Sequence, residues 1–161
     1  MKAINLKTEY LVNPLGIDIK HPCLLWNCDA GMKQKAYRIL ALKKGSVAWD
    51  SGKVFSSSMR AQYPCELSSR ERVEWNVTLW DENDKMGEAS EMAFFEMGLL
   101  KKEDFTARWI RGNYRVHKSK RYPVDCFRKG FHADAPLKAR LYITAFGLYE
   151  AKINGKRVGD F

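Results

Sequence analysis

The stretch RVEWNVTLW, residues 72–80, alternates polar and apolar side chains from Arg72 to Leu79. Its apolar members fall on one side of an extended chain, and they are Val73, Trp75, Val77 and Leu79. A period of two is typical of a strand with one face against a core and the other face in water. The stretch therefore predicts a β-strand and places Trp75 in the interior of the first domain.

Shorter strand-like stretches lie on both sides of it. They are Leu24–Trp26, 34–42, 47–54 and 93–96. Turn-forming residues separate them, as in Asn13-Pro14-Leu15-Gly16 and in the polar run from Asp81 to Gly87. No convincing amphipathic helix is found in the first hundred residues. Several short strands with such turns predict an all-β fold, a β-sandwich.

The last third of the sequence predicts a second, shorter set of strands. After a connector over 101–111, apolar alternation returns in 126–131 and 138–146, and Asn154-Gly155 is a strong hairpin signal. So few strands do not close a sandwich. We therefore expect a first domain over 1–104 and, over 105–161, a linker with an incomplete second sandwich. Open strand edges recruit other chains, so we expect residues 126–161 either to mediate self-association or to be poorly ordered.

The charge is concentrated in the same region. Of the net charge of +9, none comes from residues 1–100, which hold 13 Lys and Arg against 13 Asp and Glu. Basic residues mix with tyrosine and phenylalanine over 111–129, a composition that nucleic-acid-binding proteins also use. No RNA-binding signature accompanies them. A solvated basic loop is the favoured interpretation, and nucleic-acid binding is a lesser alternative.

The sequence offers no recognisable catalytic or metal-binding motif. The histidines His21, His117 and His132 are far apart, and the spacing of the four cysteines matches no zinc signature. Asp and Glu are plentiful, but nothing selects the pair that a glycosidase needs. We therefore assign no catalytic residue, no metal ligand and no cofactor.

The surroundings of the protein can also be predicted. No signal peptide is visible in the first 30 residues, so a cytoplasmic location is expected. No apolar stretch is long enough to cross a membrane.

Three tryptophans are candidates for contact with a sugar, because sugar-binding sandwiches present aromatic rings to sugar rings. They are Trp49, Trp80 and Trp109. Each qualifies only if its ring is exposed. Trp49 and Trp80 fall at strand ends, where packing against a turn is the commoner role.

Taken in order, these segments resemble the amino-terminal region of bacterial α-L-rhamnosidases. The resemblance is carried by Asn13-Pro14-Leu15-Gly16-Ile17-Asp18, Trp49-Asp50-Ser51-Gly52-Lys53-Val54, Trp75-x-Val77-x-Leu79-Trp80-Asp81, Phe95-Glu96-x-Gly98-Leu99-Leu100, Ala139-Arg140-Leu141-Tyr142-Ile143-Thr144-Ala145 and Ile153-Asn154-Gly155-Lys156-Arg157-Val158-Gly159-Asp160. No single motif decides it, but they span nearly the whole chain in the right order.

The resemblance implies a fibronectin-III or immunoglobulin-like sandwich, followed by the start of a jelly-roll sandwich of galactose-binding type. In that family both precede an (α/α)6 barrel, which carries the catalytic acids and removes terminal L-rhamnose with inversion. No position here matches those acids. The resemblance therefore implies a non-catalytic accessory region whose partner is the barrel of the same protein, acting on rhamnose-containing carbohydrates. A carbohydrate-binding module in its own right is the alternative.

Overall fold

A computed structural model describes residues 1–29, 33–115, 117, 119–134 and 138–159. The chain divides into two units, Met1–Trp109 and Ile110–Phe161. Among the described residues, the only helical element is one turn of 3-10 helix, Lys102–Asp104, and the remaining elements are strands. The all-β prediction is therefore confirmed, whereas the domain boundary expected at 104/105 stays a prediction.

The first unit contains two sheets. Its strands are β1 (Ala3–Thr8), β2 (Leu15–Ile17), β3 (Cys23–Cys28), β4 (Gln34–Lys43), β5 (Ser46–Asp50), β6 (Val54–Phe55), β7 (Arg60–Gln62), β8 (Arg72–Asp81) and β9 (Ala93–Met97). The large sheet has the order β2-β9-β8-β4-β5, with β6 also paired to β4, and the small sheet has the order β1-β3-β7. The two sheets form a sandwich, as the alternation of residues 72–80 predicts.

The core lies between the sheets. Val73, Trp75, Val77 and Leu79 are fully buried, which confirms the prediction made for Trp75. Opposite them, Leu24 and Trp26 of β3 are buried from the small sheet. Because burial of apolar surface is the main favourable term in folding, this row on β8 fixes which face of the large sheet turns inward.

A buried glutamine joins the two sheets through polar contacts. The Trp26 indole N–H donates to Gln34 Oε1 at 2.9 Å, and Gln34 Nε2 donates to the carbonyls of Ser56 and Ser58 at 2.8 and 2.9 Å. A buried amide is costly unless its hydrogen bonds are made, so these contacts hold the segment before β7 in place. The Trp26 backbone N–H donates to the Met59 carbonyl at 3.1 Å and extends the same attachment.

One edge of the large sheet is formed by a parallel pair of strands. β2 lies parallel to β9, with Leu15 beside Glu96 and Ile17 beside Met97. The Phe94 N–H donates to Asn13 Oδ1 at 2.9 Å, and the Gly98 N–H donates to the Ile17 carbonyl at 2.7 Å. An early segment of the chain is thereby fixed to the last strand of the unit.

The second unit has one regular element in its described residues, a hairpin of β10 (Ala151–Ile153) and β11 (Lys156–Val158). Its turn residues Asn154 and Gly155 have φ of 50° and 78°, as the sequence predicts. The prediction of strands over 126–131 and 138–146 is wrong, because the described residues of these two ranges form no strand. Alternation supplies an apolar face, but a strand also needs a neighbouring backbone to bond with.

Candidate functional site

Trp80 belongs to an aromatic row on the outer face of the large sheet. Ala36 of β4 pairs with Phe55 on one side and with Trp80 on the other, so the two rings flank it. The Lys53 ammonium lies 5.1 Å from the Phe55 ring centroid and 4.9 Å from the Trp80 ring centroid. Such a cation is attracted to the ring faces. Lys53 therefore occupies ring surface that an aromatic platform for a sugar would leave open.

The same lysine is held by an acidic turn. Lys53 Nζ donates to Asp84 Oδ1 at 2.7 Å, and Lys35 Nζ lies 3.5 Å from that oxygen. The Lys53 hydrogen bond is the largest cause that lowers the pKa of Asp84 below its usual value. Asp84 thus stays ionised, which suits a structural ion pair and not a proton donor.

Trp49 lies on the other face of the large sheet. It pairs with Ala41, is half-buried and packs against the core. Its ring meets the Tyr63 ring edge-on, with centroids 5.7 Å apart. Trp109 ends the first unit outside any strand and is 64% exposed. The structure therefore does not bring Trp49 and Trp80 to one surface, and sugar contact at the three tryptophans stays a prediction.

Four of the carboxyl groups are poorly suited to acid catalysis. A glycosidase general acid needs a raised pKa, so that it holds its proton near neutral pH. The pKa is lowered for Asp50, Asp84, Asp104 and Glu150, which is the opposite of what a general acid needs. The causes are hydrogen bonds from Arg38, Lys53, Ser69 and Lys152, respectively.

Metal and thiol chemistry is equally unsupported in the part of the chain that the structure describes. No group of three His, Cys, Asp or Glu side chains there could hold a metal ion. Burial is the largest cause that raises the pKa of the Cys23 and Cys28 thiols, so neither is an activated thiolate. No helix in the described ranges is long and apolar enough to cross a bilayer.

The basic stretch 111–129 presents its aromatics differently from a nucleic-acid platform. Tyr114 and Tyr122 stack on each other, with centroids 4.9 Å apart and ring planes 13° apart. The Tyr122 hydroxyl accepts from the His117 N–H at 2.7 Å and donates to the Arg115 carbonyl at 3.0 Å. Rings that stack on each other have less open surface for a base. Lys118, one of the basic residues of the stretch, lies outside the described residues.

An open groove lies on the outer face of the small sheet. Its volume is about 510 Å³, and its lining residues are Asn5, Lys7, Tyr10, Leu25, Trp26, Asn27, Ser58, Met59 and Arg60. We call it the small-sheet groove. Lys7 on β1 pairs with Leu25 on β3, and Leu25 pairs with Arg60 on β7, so the three form a row across the sheet. The sequence analysis missed these residues, because they come together only through pairing between distant strands.

Comparison with known proteins gives two matching family models. Residues 3–101 match the Rha78A-like, N-terminal immunoglobulin domain, and residues 134–161 match the alpha-L-rhamnosidase N-terminal domain. Among curated relatives, an alpha-L-rhamnosidase of Alteromonas sp. (strain LOR) is 34% identical over 98% of this chain and 19% of its own length. One from Formosa agariphila is 33% identical over 95% of this chain and 18% of its own length. The chain thus spans about a fifth of the length of these relatives.

Solved structures agree with these sequence matches. The alpha-L-rhamnosidase of Dictyoglumus thermophilum superposes on 68% of this chain and 14% of its own, with a TM-score of 0.63 and 34% identity. The Streptomyces avermitilis alpha-L-rhamnosidase complexed with L-rhamnose gives a TM-score of 0.63 at 31% identity, over 68% of this chain and 12% of its own.

Proposed function

This chain belongs to the family of α-L-rhamnosidase amino-terminal regions, and from that premise we propose that it is a non-catalytic accessory region of a larger enzyme. In this proposal it scaffolds a catalytic (α/α)6 barrel of the same protein, which removes terminal L-rhamnose from rhamnosides with inversion. The observation that carries the proposal is the match of both parts of the chain, in order, to the two amino-terminal domain models.

The chemistry of the first unit supports the non-catalytic role. The pKa shifts of Asp50, Asp84 and Asp104 favour the ionised form, and the charged partners of Asp50 and Asp84 are basic side chains. Inverting hydrolysis needs one protonated and one ionised carboxyl facing each other across a sugar. A rigid sandwich without that pair fits a supporting domain.

Turnover of an aryl α-L-rhamnoside tests the proposal. We expect no release of the aryl alcohol above blank by the chain alone, and release by a protein in which the chain is joined to the proposed barrel. Sustained turnover by the chain alone would contradict the non-catalytic role. A joined protein that is folded yet inactive on a panel of rhamnosides would contradict the rhamnosidase assignment.

The other interpretations stay predictions. A stand-alone carbohydrate-binding module would use Trp49, Trp80 or Trp109, and a nucleic-acid binder would use the basic residues beyond 101. A cytoplasmic location also stays a proposal. The four cysteines are free, as a reducing compartment favours.

A further inference from the structure

Tyr10 occupies a turn position that disfavours its residue type. Thr8 and Leu11 exchange backbone hydrogen bonds of 2.9 and 3.0 Å, which closes a two-residue turn over Glu9 and Tyr10. Both turn residues have positive φ, 51° and 65°, where Asn-Gly is the preferred sequence. Side chains with a Cβ are disfavoured there, and backbone strain of this kind clusters at functional sites.

The strained residue presents its ring to solvent at the small-sheet groove. Tyr10 is 69% exposed and contributes to the groove lining. A tyrosine offers a broad, rigid, amphipathic surface at a small entropic cost, which suits contact with the apolar face of a ring. The turn therefore holds an aromatic platform beside the sheet and not inside the core.

Two cations lie on the floor of the same groove. Lys7 and Arg60 flank Leu25 in one row across the small sheet. Neither makes an ion pair with any residue that the structure describes. The nearest acidic residue of the turn, Glu9, accepts a hydrogen bond from the Cys23 N–H at 2.5 Å and is absent from the lining. The groove thus carries positive charge suited to a carboxylate.

The remaining lining groups suit a hydroxylated ligand. Asn5 sits at a β-bulge with a φ of 54°, and Asn27 is exposed on β3. Each amide both donates and accepts hydrogen bonds, as sugar hydroxyls do. A volume of about 510 Å³ falls within the ordinary range of ligand sites and admits a short oligosaccharide.

We propose that the small-sheet groove binds an acidic carbohydrate, with Tyr10 against a sugar ring, Lys7 and Arg60 on uronate carboxylates, and the two asparagine amides on hydroxyls. The choice of a carbohydrate among anionic ligands rests on the proposed function. The groove is tested by binding and not by turnover.

The test titrates the chain with a trimer of α-1,4-linked galacturonic acid, followed by the chemical shifts of backbone amides. We expect saturable shifts centred on β1, β3, β7 and the Glu9-Tyr10 turn. The methyl-esterified trimer is the matched ligand control, because it keeps the size and removes the charge. Its dissociation constant should be at least about tenfold higher, since charge-assisted hydrogen bonds are lost.

Variants separate binding from folding. Tyr10→Gly should relieve the turn strain, so we expect a higher melting temperature together with a dissociation constant raised at least about tenfold. Lys7→Ala and Arg60→Ala should each weaken binding by a similar factor. Lys20→Ala removes an exposed lysine outside the groove lining and should leave binding unchanged.

Several outcomes would overturn the proposal. They are absence of saturable shifts, shifts located elsewhere, equal affinity for the methyl ester, and unchanged binding by Tyr10→Gly. Equal binding of single-stranded DNA and of the uronate trimer, with the same dependence on salt, would show only a general attraction for anions. Failure here would leave the rhamnosidase proposal standing, because that proposal is judged by turnover of an aryl rhamnoside.

Discussion

At the scale of the residue, Trp75 makes a large predicted contribution to the stability of the first unit. Its side chain is fully buried between the sheets. Trp75→Ala should lower the free energy of unfolding by about 3–5 kcal/mol, through lost burial and the cavity left behind. Urea denaturation measures this, with Thr78→Ala on the outer face of the same strand as the control. A midpoint equal to that of the control would contradict the assigned role.

A substitution at Thr8 should change the free energy of unfolding in the opposite direction. Its hydroxyl is buried and has no hydrogen-bond partner within the described residues. An unsatisfied buried hydroxyl costs about 1–3 kcal/mol, so Thr8→Val, which keeps the shape, should raise the free energy of unfolding by about 1 kcal/mol. Thr8→Ser keeps the hydroxyl and loses the methyl group, so it should lower stability. Thermal denaturation of Thr8→Val and Thr8→Ser measures both changes. A Thr8→Val variant less stable than the unmodified chain would show that the Thr8 hydroxyl does have a hydrogen-bond partner.

At the scale of the element, the turn after β5 makes stability depend on pH. Arg38 donates two hydrogen bonds to Asp50, at 2.8 and 2.5 Å, and the Gly52 N–H donates a third at 2.9 Å. The Arg38 hydrogen bond is the largest cause that lowers the pKa of Asp50 to about 2. The carboxyl is therefore a stronger acid in the folded chain than in the unfolded chain.

The sign of the effect follows from that difference. The stabilisation is fully present above the unfolded pKa, about 4, and is lost as the pH falls towards 2. The pair is substantially exposed, so we expect less than about 1 kcal/mol. Asp50→Asn should lower stability at pH 6 and reduce the loss between pH 4 and 2, as followed by urea midpoints. A loss equal to that of the unmodified chain would refute the role of this carboxyl.

The elements also show how much of the fold can be predicted from a single sequence. β8 and β4 are long and carry their own apolar pattern, so their existence and inner face can be predicted from local information. β2 and β7 have three residues each, and their pairing with distant strands decides their conformation. The small-sheet groove depends on that pairing and could not be predicted. The alternation of apolar residues over 138–146 wrongly predicts a strand, because an apolar pattern alone does not supply a partner strand.

At the scale of the whole molecule, self-association through 126–161 stays a prediction, and the second unit adds a reason for it. Apolar side chains there that are at least about half exposed include Phe127, Phe131, Leu141, Phe146 and Leu148. Exposed apolar surface of this extent is commonly covered by another chain. The basic residues of the region oppose close approach, so added salt should strengthen association by screening their repulsion.

Light scattering at low and at high salt measures this association. We expect the apparent mass to rise with salt and Leu148→Asp to reduce the rise. Val47→Asp, an equivalent change at an exposed residue of the first unit, should have no effect. A chain that remains monomeric at all salt concentrations, with hydrogen-exchange protection over 126–159, would show that the segment is covered from within.

The parallel pairing of β2 with β9 has a consequence for the nascent chain. Leu15–Ile17 leaves the ribosome well before its partner strand, Ala93–Met97, which is among the last parts of the unit to be translated. β9 lies between β2 and β8 in the large sheet. Neither β2 nor β8 can therefore complete its hydrogen bonds until residues 93–97 have cleared the exit tunnel. For most of the synthesis of the unit, β2 must therefore wait for its partner. From its own translation until β9 emerges, the edge of β8 also stays unpaired, in reach of chaperones and of neighbouring nascent chains.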